Sequence, residues 1–179
     1  MTVTITSAFD AGNIRVLSLS DTLAELEIVR DHESEFYQWF YFRLGNAAGK
    51  AIKLVLTNCG ESAYPGGWTN YSARVSEDRE NWTLAPTDYA DGKLTIHVQP
   101  ESNALWVAYF APYSMERHHD LIAWAANQPG AAVQELGQTL DGQPLDMVRL
   151  GEGPKQVWLY ARQHPGETMA QWWVEGALE

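Results

Sequence analysis

Hydrophobic and polar residues alternate over short stretches of the first 112 residues, which predicts a series of β-strands. The alternation is clearest in Ala24–Ile28 and Leu94–Val98, as expected for strands with one solvent-facing side. Gly, Asn, Asp and Pro separate these stretches and indicate turns. Many short strands at this spacing favour an antiparallel sandwich or barrel. The predicted strands are Val3–Ala8, Ile14–Leu19, Leu23–Val29, Tyr37–Leu44, Ala51–Asn58, Tyr71–Ser76, Leu94–Gln99 and Leu105–Phe110.

The pattern changes near Pro112, where helical and strand signals begin to alternate. Ser114–Asn127 is predicted as a helix with Ser114 as its N-cap, and a second helix starts at about Thr168 and runs to the chain end. Between them lie three predicted strands, Val133–Thr139, Leu145–Leu150 and Gln156–Arg162. We therefore predict a mainly β chain with an antiparallel β-sandwich at 1–113, a linker helix at 114–130 and the incomplete start of an α/β domain at 131–179.

Composition and charge narrow the functional classes. With 45% hydrophobic residues the chain can bury a substantial core, and a net charge of −11 argues against nucleic acid as a partner. The single cysteine, Cys59, excludes an internal disulfide and fits a reducing compartment. No secretory pattern and no apolar run near the roughly 20 residues of a membrane span are present. A cytoplasmic protein without a membrane partner is expected.

The candidate chemistry lies in the break between the last predicted strand and the last helix. Val157–Ala161 is apolar and typical of a strand buried in an α/β sheet, Pro165 and Gly166 form a turn, and His164 and Glu167 flank that turn. Open α/β sheets hold their sites at this strand edge, and zinc binds both His nitrogen and Glu oxygen. The same spacing fits a turn histidine beside a carboxylate that interacts with the helix dipole. Spacing and setting leave the two interpretations about even.

The segment 162–168, Arg-Gln-His-Pro-Gly-Glu-Thr, resembles the zinc-ligand segment of the cytosolic carboxypeptidases. These proteins form the deglutamylase-like branch of the zinc metallocarboxypeptidases. Other stretches resemble landmarks of that branch in the same order along nearly the whole chain, namely 9–15, 36–43, Asn58 with 64–66, 107–114 and 137–142. The resemblance implies a β-sandwich followed by an α/β zinc carboxypeptidase domain. This chain would carry only the start of the second domain.

The resemblance also implies roles for individual residues. His164 and Glu167 would be the first two zinc ligands, while a third ligand, a histidine, and the glutamate acting as general base are expected beyond Glu179. Gly166 stands where digestive carboxypeptidases carry Arg, which matches the cytosolic branch. Arg162 ends a predicted buried strand and therefore needs a partner, so we hypothesise that it orients a substrate or a neighbouring carboxylate.

The function that follows from the resemblance is hydrolysis of C-terminal peptide bonds by a water that zinc activates. The substrate would be a peptide or protein C-terminus, and the β-sandwich would pack on the protein's own catalytic domain. With two of three ligands, this chain alone is expected to hold zinc weakly or not at all and to be inactive. Two alternatives stay open: a zinc amidase or deacylase of related fold, and a non-catalytic β-sandwich module that binds ligands on its aromatic residues.

Other histidines carry weaker signals. His118 and His119 lie beside Glu116 and Asp120, but adjacent residues on a helix point about 100° apart, so a surface role on the linker helix is predicted. His32 is expected in a solvated polar turn.

Three further features receive structural interpretations. His97 is expected on the polar face of its strand. Cys59 is interpreted as a small buried hydrophobe rather than a nucleophile. Phe36–Phe42 is interpreted as core on one face and interdomain contact on the other.

Overall fold

The computed structural model describes residues 1–178, which form two compact units that divide between Pro112 and Tyr113. The first unit is built from strands and the second from two helices and a β-hairpin. Among the described residues, no helix has the length and apolarity that a membrane crossing requires.

The first unit contains ten strands and two short 3₁₀ segments. The 3₁₀ segments are Cys59–Glu61 and Pro65–Trp68. In chain order the strands are β1 (Thr4–Thr6), β2 (Arg15–Leu19), β3 (Leu23–Glu27), β4 (Tyr41–Gly45), β5 (Ile52–Leu56), β6 (Arg74–Ser76), β7 (Thr83–Leu84), β8 (Thr87–Ala90), β9 (Lys93–Val98) and β10 (Ala104–Ala108).

These strands form two five-stranded sheets, in the orders β1-β4-β10-β6-β7 and β2-β3-β5-β9-β8. All pairings are antiparallel except β3 with β5, which run parallel. The exception arises because β4, which lies between them in sequence, belongs to the other sheet, so the chain returns to β3 in the same direction. The predicted mainly β, antiparallel fold is confirmed with this one addition.

Alternating residues of both sheets fill one core. Leu26 and Ile96 are fully buried, as their alternation with polar neighbours predicted, and Phe40 stacks on Trp68 at 6.4 Å between ring centroids. Burying side chains of this size stabilises a fold by about 1.5–3 kcal/mol each. Polar alternates face solvent, and His97 is among them with Nε2 3.3 Å from an oxygen of Asp88.

The predicted strand Tyr37–Leu44 is wrong in its first half, because the observed strand starts at Tyr41. Side chains hold the preceding residues in place of a strand ladder: the Gln38 amide bonds both the N–H and the carbonyl of Tyr64, and the Tyr37 hydroxyl donates to the carbonyl of Asn58. Hydrophobicity indicated burial here, but these distant partners decide the backbone path. The short strands β7 and β8 were not predicted.

The second unit contains α1 (Met115–Ala126), β11 (Ala131–Gln138), β12 (Pro144–Leu150) and α2 (Met169–Leu178). The predicted cap of α1 is confirmed, since the Ser114 hydroxyl accepts from the Arg117 N–H at 3.1 Å. Strands β11 and β12 form an antiparallel hairpin, closed by a turn in which Gly142 has a φ of 76°. Helix α1 contacts both strands of this hairpin and buries Leu121 and Ala125.

The predicted strand Gln156–Arg162 is not observed. Its backbone is irregular, and Val157, Trp158, Leu159 and Tyr160 are 83%, 68%, 60% and 72% exposed. An inner strand needs neighbours on both edges, and no strand among the described residues pairs with this segment. The burial predicted from the apolar composition of this segment is therefore wrong for the described residues.

Candidate metal centre

The two predicted ligands lie on either side of one hydrogen-bonded turn. The Glu167 N–H donates to the His164 carbonyl at 2.9 Å, with Pro165 and Gly166 at the centre of the turn. Helix α2 begins two residues later, and the Ala170 N–H donates to the Glu167 carbonyl at 3.1 Å. The imidazole and the carboxylate therefore belong to the same short segment at a helix N-terminus, as the sequence predicted.

Both side chains are exposed and available to a ligand. Neither the His164 ring nor the Glu167 carboxylate makes a hydrogen bond or ion pair with the described part of the chain. Imidazole nitrogen and carboxylate oxygen are donors that zinc accepts, so the pair fits a metal site. A third donor is needed, and residues 1–178 contain no group of three His, Cys, Asp or Glu side chains arranged for a metal.

Arg162 holds the turn from its N-terminal side. Its backbone has a φ of 57°, in the left-handed region that a residue with a side chain rarely adopts. Its guanidinium donates to the Pro165 carbonyl at 3.1 Å and to the Tyr113 carbonyl at 3.2 Å. These carbonyl contacts give the side chain a role in shaping the turn, which sequence reasoning missed; its predicted role toward substrate stays a prediction.

Thr168 anchors the turn from the other side. It is fully buried although it directly follows the exposed Glu167, and its carbonyl accepts from the N–H groups of Gln171 and Trp172. Sequence patterns predicted Thr168 only as the start of a helix.

A polar and aromatic network connects α1 with α2. The Arg117 guanidinium bonds the Glu175 carboxylate, with Nε donating to Oε2 at 2.8 Å, and lies 4.2 Å from the centre of the Trp172 ring. The hydrogen bond from Arg117 holds the pKa of Glu175 below its ordinary value of 4.5. The Tyr113 ring meets Trp172 edge to face at 5.1 Å.

His118 belongs to this network, so the predicted surface role for both helix histidines is wrong for one of them. Its Nε2 lies 2.9 Å from Oδ2 of Asp146 on β12, and its Nδ1 lies 3.5 Å from the amide nitrogen of Gln171 on α2. His119 is exposed, in agreement with the prediction. The difference arises because α1 packs on the hairpin along the side that carries His118, which sequence spacing does not reveal.

The remaining candidates carry no site. His32 is exposed with Nε2 4.0 Å from an oxygen of Glu33, as expected for a solvated turn. Cys59 is buried in the core of the first unit, and burial raises the pKa of its thiol to about 12. The aromatic run contributes Phe40 and Phe42 to the core of the first unit, as predicted, and its predicted contact with another domain stays a prediction.

Both units of the chain are similar in sequence to known proteins. The model of the cytosolic carboxypeptidase N-terminal domain matches residues 5–110. An uncharacterised protein of Zymomonas mobilis is 56% identical over the whole chain, which covers 47% of that protein. Cytosolic carboxypeptidase 1 of Gallus gallus is 25% identical over 97% of the chain and 18% of its own length. The match to an N-terminal domain of this kind is not what the amidase hypothesis predicts.

The fold has close counterparts among solved structures. A metallo-carboxypeptidase from Burkholderia cenocepacia superimposes with a TM-score of 0.95 at 44% identity, over 99% of this chain and 49% of that one. The enzyme class that these similarities define is the metallo-carboxypeptidases. Within that class, the chain belongs to the cytosolic carboxypeptidase family. It spans about half the length of the bacterial relatives that it matches.

Proposed function

We propose that the chain is the N-terminal portion of a zinc-dependent metallocarboxypeptidase that hydrolyses C-terminal peptide bonds. The observation that carries the proposal is the turn at 164–167, which presents an exposed imidazole and an exposed carboxylate in a chain of this family. No hydrogen bond within residues 1–178 competes for either side chain. Both groups are therefore available without breaking any contact of the described fold.

His164 and Glu167 would hold the metal through an imidazole nitrogen and a carboxylate oxygen. Bound zinc would supply Lewis-acid polarisation of the scissile carbonyl and an activated water. The backbone turn fixes both donors on one short segment, which lowers the entropy lost when they bind an ion together. A third ligand and a general base would come from residues beyond this chain.

Arg162 would act at the same site, either by holding the turn in its conformation or by orienting the substrate. Two of its guanidinium contacts are to carbonyl groups, which favours the first role. The substrate would be a peptide or protein C-terminus in the cytoplasm, and the β-sandwich would pack on the completed catalytic domain.

The test is a peptidase assay on the longer protein of which this chain would be the N-terminal portion. We expect release of C-terminal residues that stops with a chelator and returns with zinc. Replacing His164→Ala or Glu167→Gln should lower kcat/KM at least about a hundredfold, because each removes one of three ligands. His119→Ala is the matched control, since His119 is an exposed histidine on α1 outside the turn, and it should leave kcat/KM unchanged.

The present 179 residues alone should show no peptidase activity. Chelator-sensitive release of C-terminal residues by these residues alone would contradict the proposed division of ligands. Full activity of the longer His164→Ala protein would contradict the assignment of the metal site. Hydrolysis of N-acyl amino acids in place of peptides would favour the amidase alternative.

A further inference from the structure

The chain on both sides of the predicted metal-binding turn is held by one short segment at the start of α1. We call this segment, consisting of Tyr113, Arg117 and His118, the α1 bracket. Ahead of the turn, the Tyr113 carbonyl accepts from Nη1 of Arg162 at 3.2 Å. After the turn, Arg117 and His118 contact residues in the first two turns of α2.

Arg117 makes the most extensive of these contacts. Its guanidinium bonds Glu175 and lies over the Trp172 ring, and its carbon Cζ is 5.7 Å from the centre of the Tyr113 ring. Glu175 is only 15% exposed at its side chain, so the pair is shielded from solvent on the α2 side. A guanidinium that bonds a carboxylate while it stacks on an aromatic ring is held in one orientation.

His118 adds a second connection that reaches three elements. Its ring joins α1 to Asp146 on β12 and to Gln171 on α2, and the His118 and Asp146 side chains are 18% and 11% exposed. Each of the two ring nitrogens of His118 therefore has a polar partner. This arrangement fixes the first turn of α2 relative to the hairpin.

Helix α2 depends on these contacts because it has no core of its own. It is ten residues long and contains no buried residue. Isolated helices shorter than about 12–15 residues are marginal in water. Contacts with α1 therefore supply much of what keeps α2, and the turn that leads into it, in a single conformation.

We propose that Arg117 and His118 are positioning residues that set the geometry of the His164–Glu167 turn through α2. Neither side chain contacts the predicted ligands, so both would act through α2, and Arg117 would also act through Tyr113, whose ring it faces and whose carbonyl accepts from Arg162. The link to metal binding rests on the proposed function, whereas the effect on the turn does not.

The first experiment needs no metal. Amide exchange is measured by NMR at Gln171 and Trp172, which report α2, and at Glu167, whose N–H donates to the His164 carbonyl and reports the turn. Arg117→Ala and His118→Ala should each speed exchange at these amides by about fivefold or more, because local opening becomes easier. His119→Ala should change none of them.

Two further variants separate positioning from general stability. Leu121→Ala removes a buried side chain of α1 outside the bracket, and it should lower the Tm without a selective change at Glu167. Glu175→Gln keeps the shape of its side chain and should speed exchange as Arg117→Ala does. The separate effects of Arg117→Ala and Glu175→Ala on amide exchange should sum to more than the effect of the double variant, because either substitution alone already breaks the contact between the two side chains.

The second experiment measures cobalt(II) binding through the NMR signal of the His164 ring. Arg117→Ala and His118→Ala should weaken that binding by about fivefold, while Leu121→Ala should not at temperatures below its Tm. Unchanged exchange at Glu167 and Gln171 in both bracket variants would overturn the proposal. So would faster exchange with unchanged cobalt affinity, which would make the bracket purely structural. Absence of cobalt binding at His164 in the longer protein, which would supply the third ligand, would instead contradict the proposed metal site, and the exchange result would still decide the effect on the turn.

Discussion

Cys59 shows at the scale of one residue how the core of the first unit controls chemistry. Its side chain is fully buried, and loss of solvation raises the pKa of the thiol to about 12, only partly offset by a hydrogen bond from the Leu94 backbone. The sequence interpretation of Cys59 as a buried hydrophobe is confirmed by this environment. The thiolate, which is the reactive form of cysteine, is therefore scarce at neutral pH.

We predict that Cys59 resists alkylation in the native protein. At about pH 8 the fraction of thiolate is on the order of one in ten thousand, and burial also blocks the reagent. Mass spectrometry after iodoacetamide treatment should show an unmodified native protein and complete modification in denaturant. Rapid modification of the native protein would mean that the loop around Cys59 opens far more readily than its burial indicates.

Residue-scale features of the site were predictable only where they are local in sequence. Pro165 and Gly166 predicted the turn between His164 and Glu167, and the turn is confirmed. The contact of Arg162 with the Tyr113 carbonyl was not predictable, because the two residues are 49 positions apart and are joined by packing of the second unit. Metal binding by His164 and Glu167 stays a prediction.

Helix α2 and the segment before it show which secondary-structure elements can be predicted from local sequence and which cannot. Helix α1 followed from its Ser114 cap and its apolar positions, because both are local, and α2 began near the predicted residue. The segment Gln156–Arg162 failed as a strand because a strand needs partners, whereas a helix satisfies its own hydrogen bonds. The parallel pairing of β3 with β5 could not be predicted from local sequence either, since it depends on the order of strands in two sheets.

We predict that the attachment of α2 to α1 weakens in acid. Because Arg117 lowers the pKa of Glu175 in the folded protein, the pair stabilises the fold fully above the ordinary value of 4.5. The stabilisation is lost as pH falls below 4.5 and through the lower folded value. Arg117 is 46% exposed at its side chain, so solvent screening limits the contribution of the pair to under about 1 kcal/mol.

Thermal unfolding of the unsubstituted chain and of Glu175→Gln checks this prediction. The Tm of the variant should be lower at about pH 7, and the gap should be smaller at about pH 3, because the carboxylate of Glu175 takes up protons as the pH falls through its lowered pKa. Glu152→Gln is the control, because Glu152 is exposed, and it should leave the Tm unchanged at both pH values. A gap between the unsubstituted chain and Glu175→Gln that is as large at about pH 3 as at about pH 7 would show that the lost charge is not its cause.

The two units differ in how far they bury their apolar residues. The core of the first unit is drawn entirely from residues 3–110, the same region that matches the N-terminal domain of the family. The second unit exposes the apolar residues 157–160 and carries the exposed side chains of His164 and Glu167, whose metal binding stays a prediction. Composition and strand pattern predicted the mainly β fold of the first unit. In the second unit they predicted a strand at 156–162, but no described strand pairs with that segment.

We propose above all that His164 and Glu167 form the metal-binding part of this chain. The most direct measurement follows the ring signals of its five histidines by NMR during titration with cobalt(II). We predict that the His164 signal broadens and shifts first, and that Glu167→Ala weakens this response while the other four histidines change little. A response centred on His118 and His119, or one that Glu167→Ala leaves unaltered, would contradict the assignment.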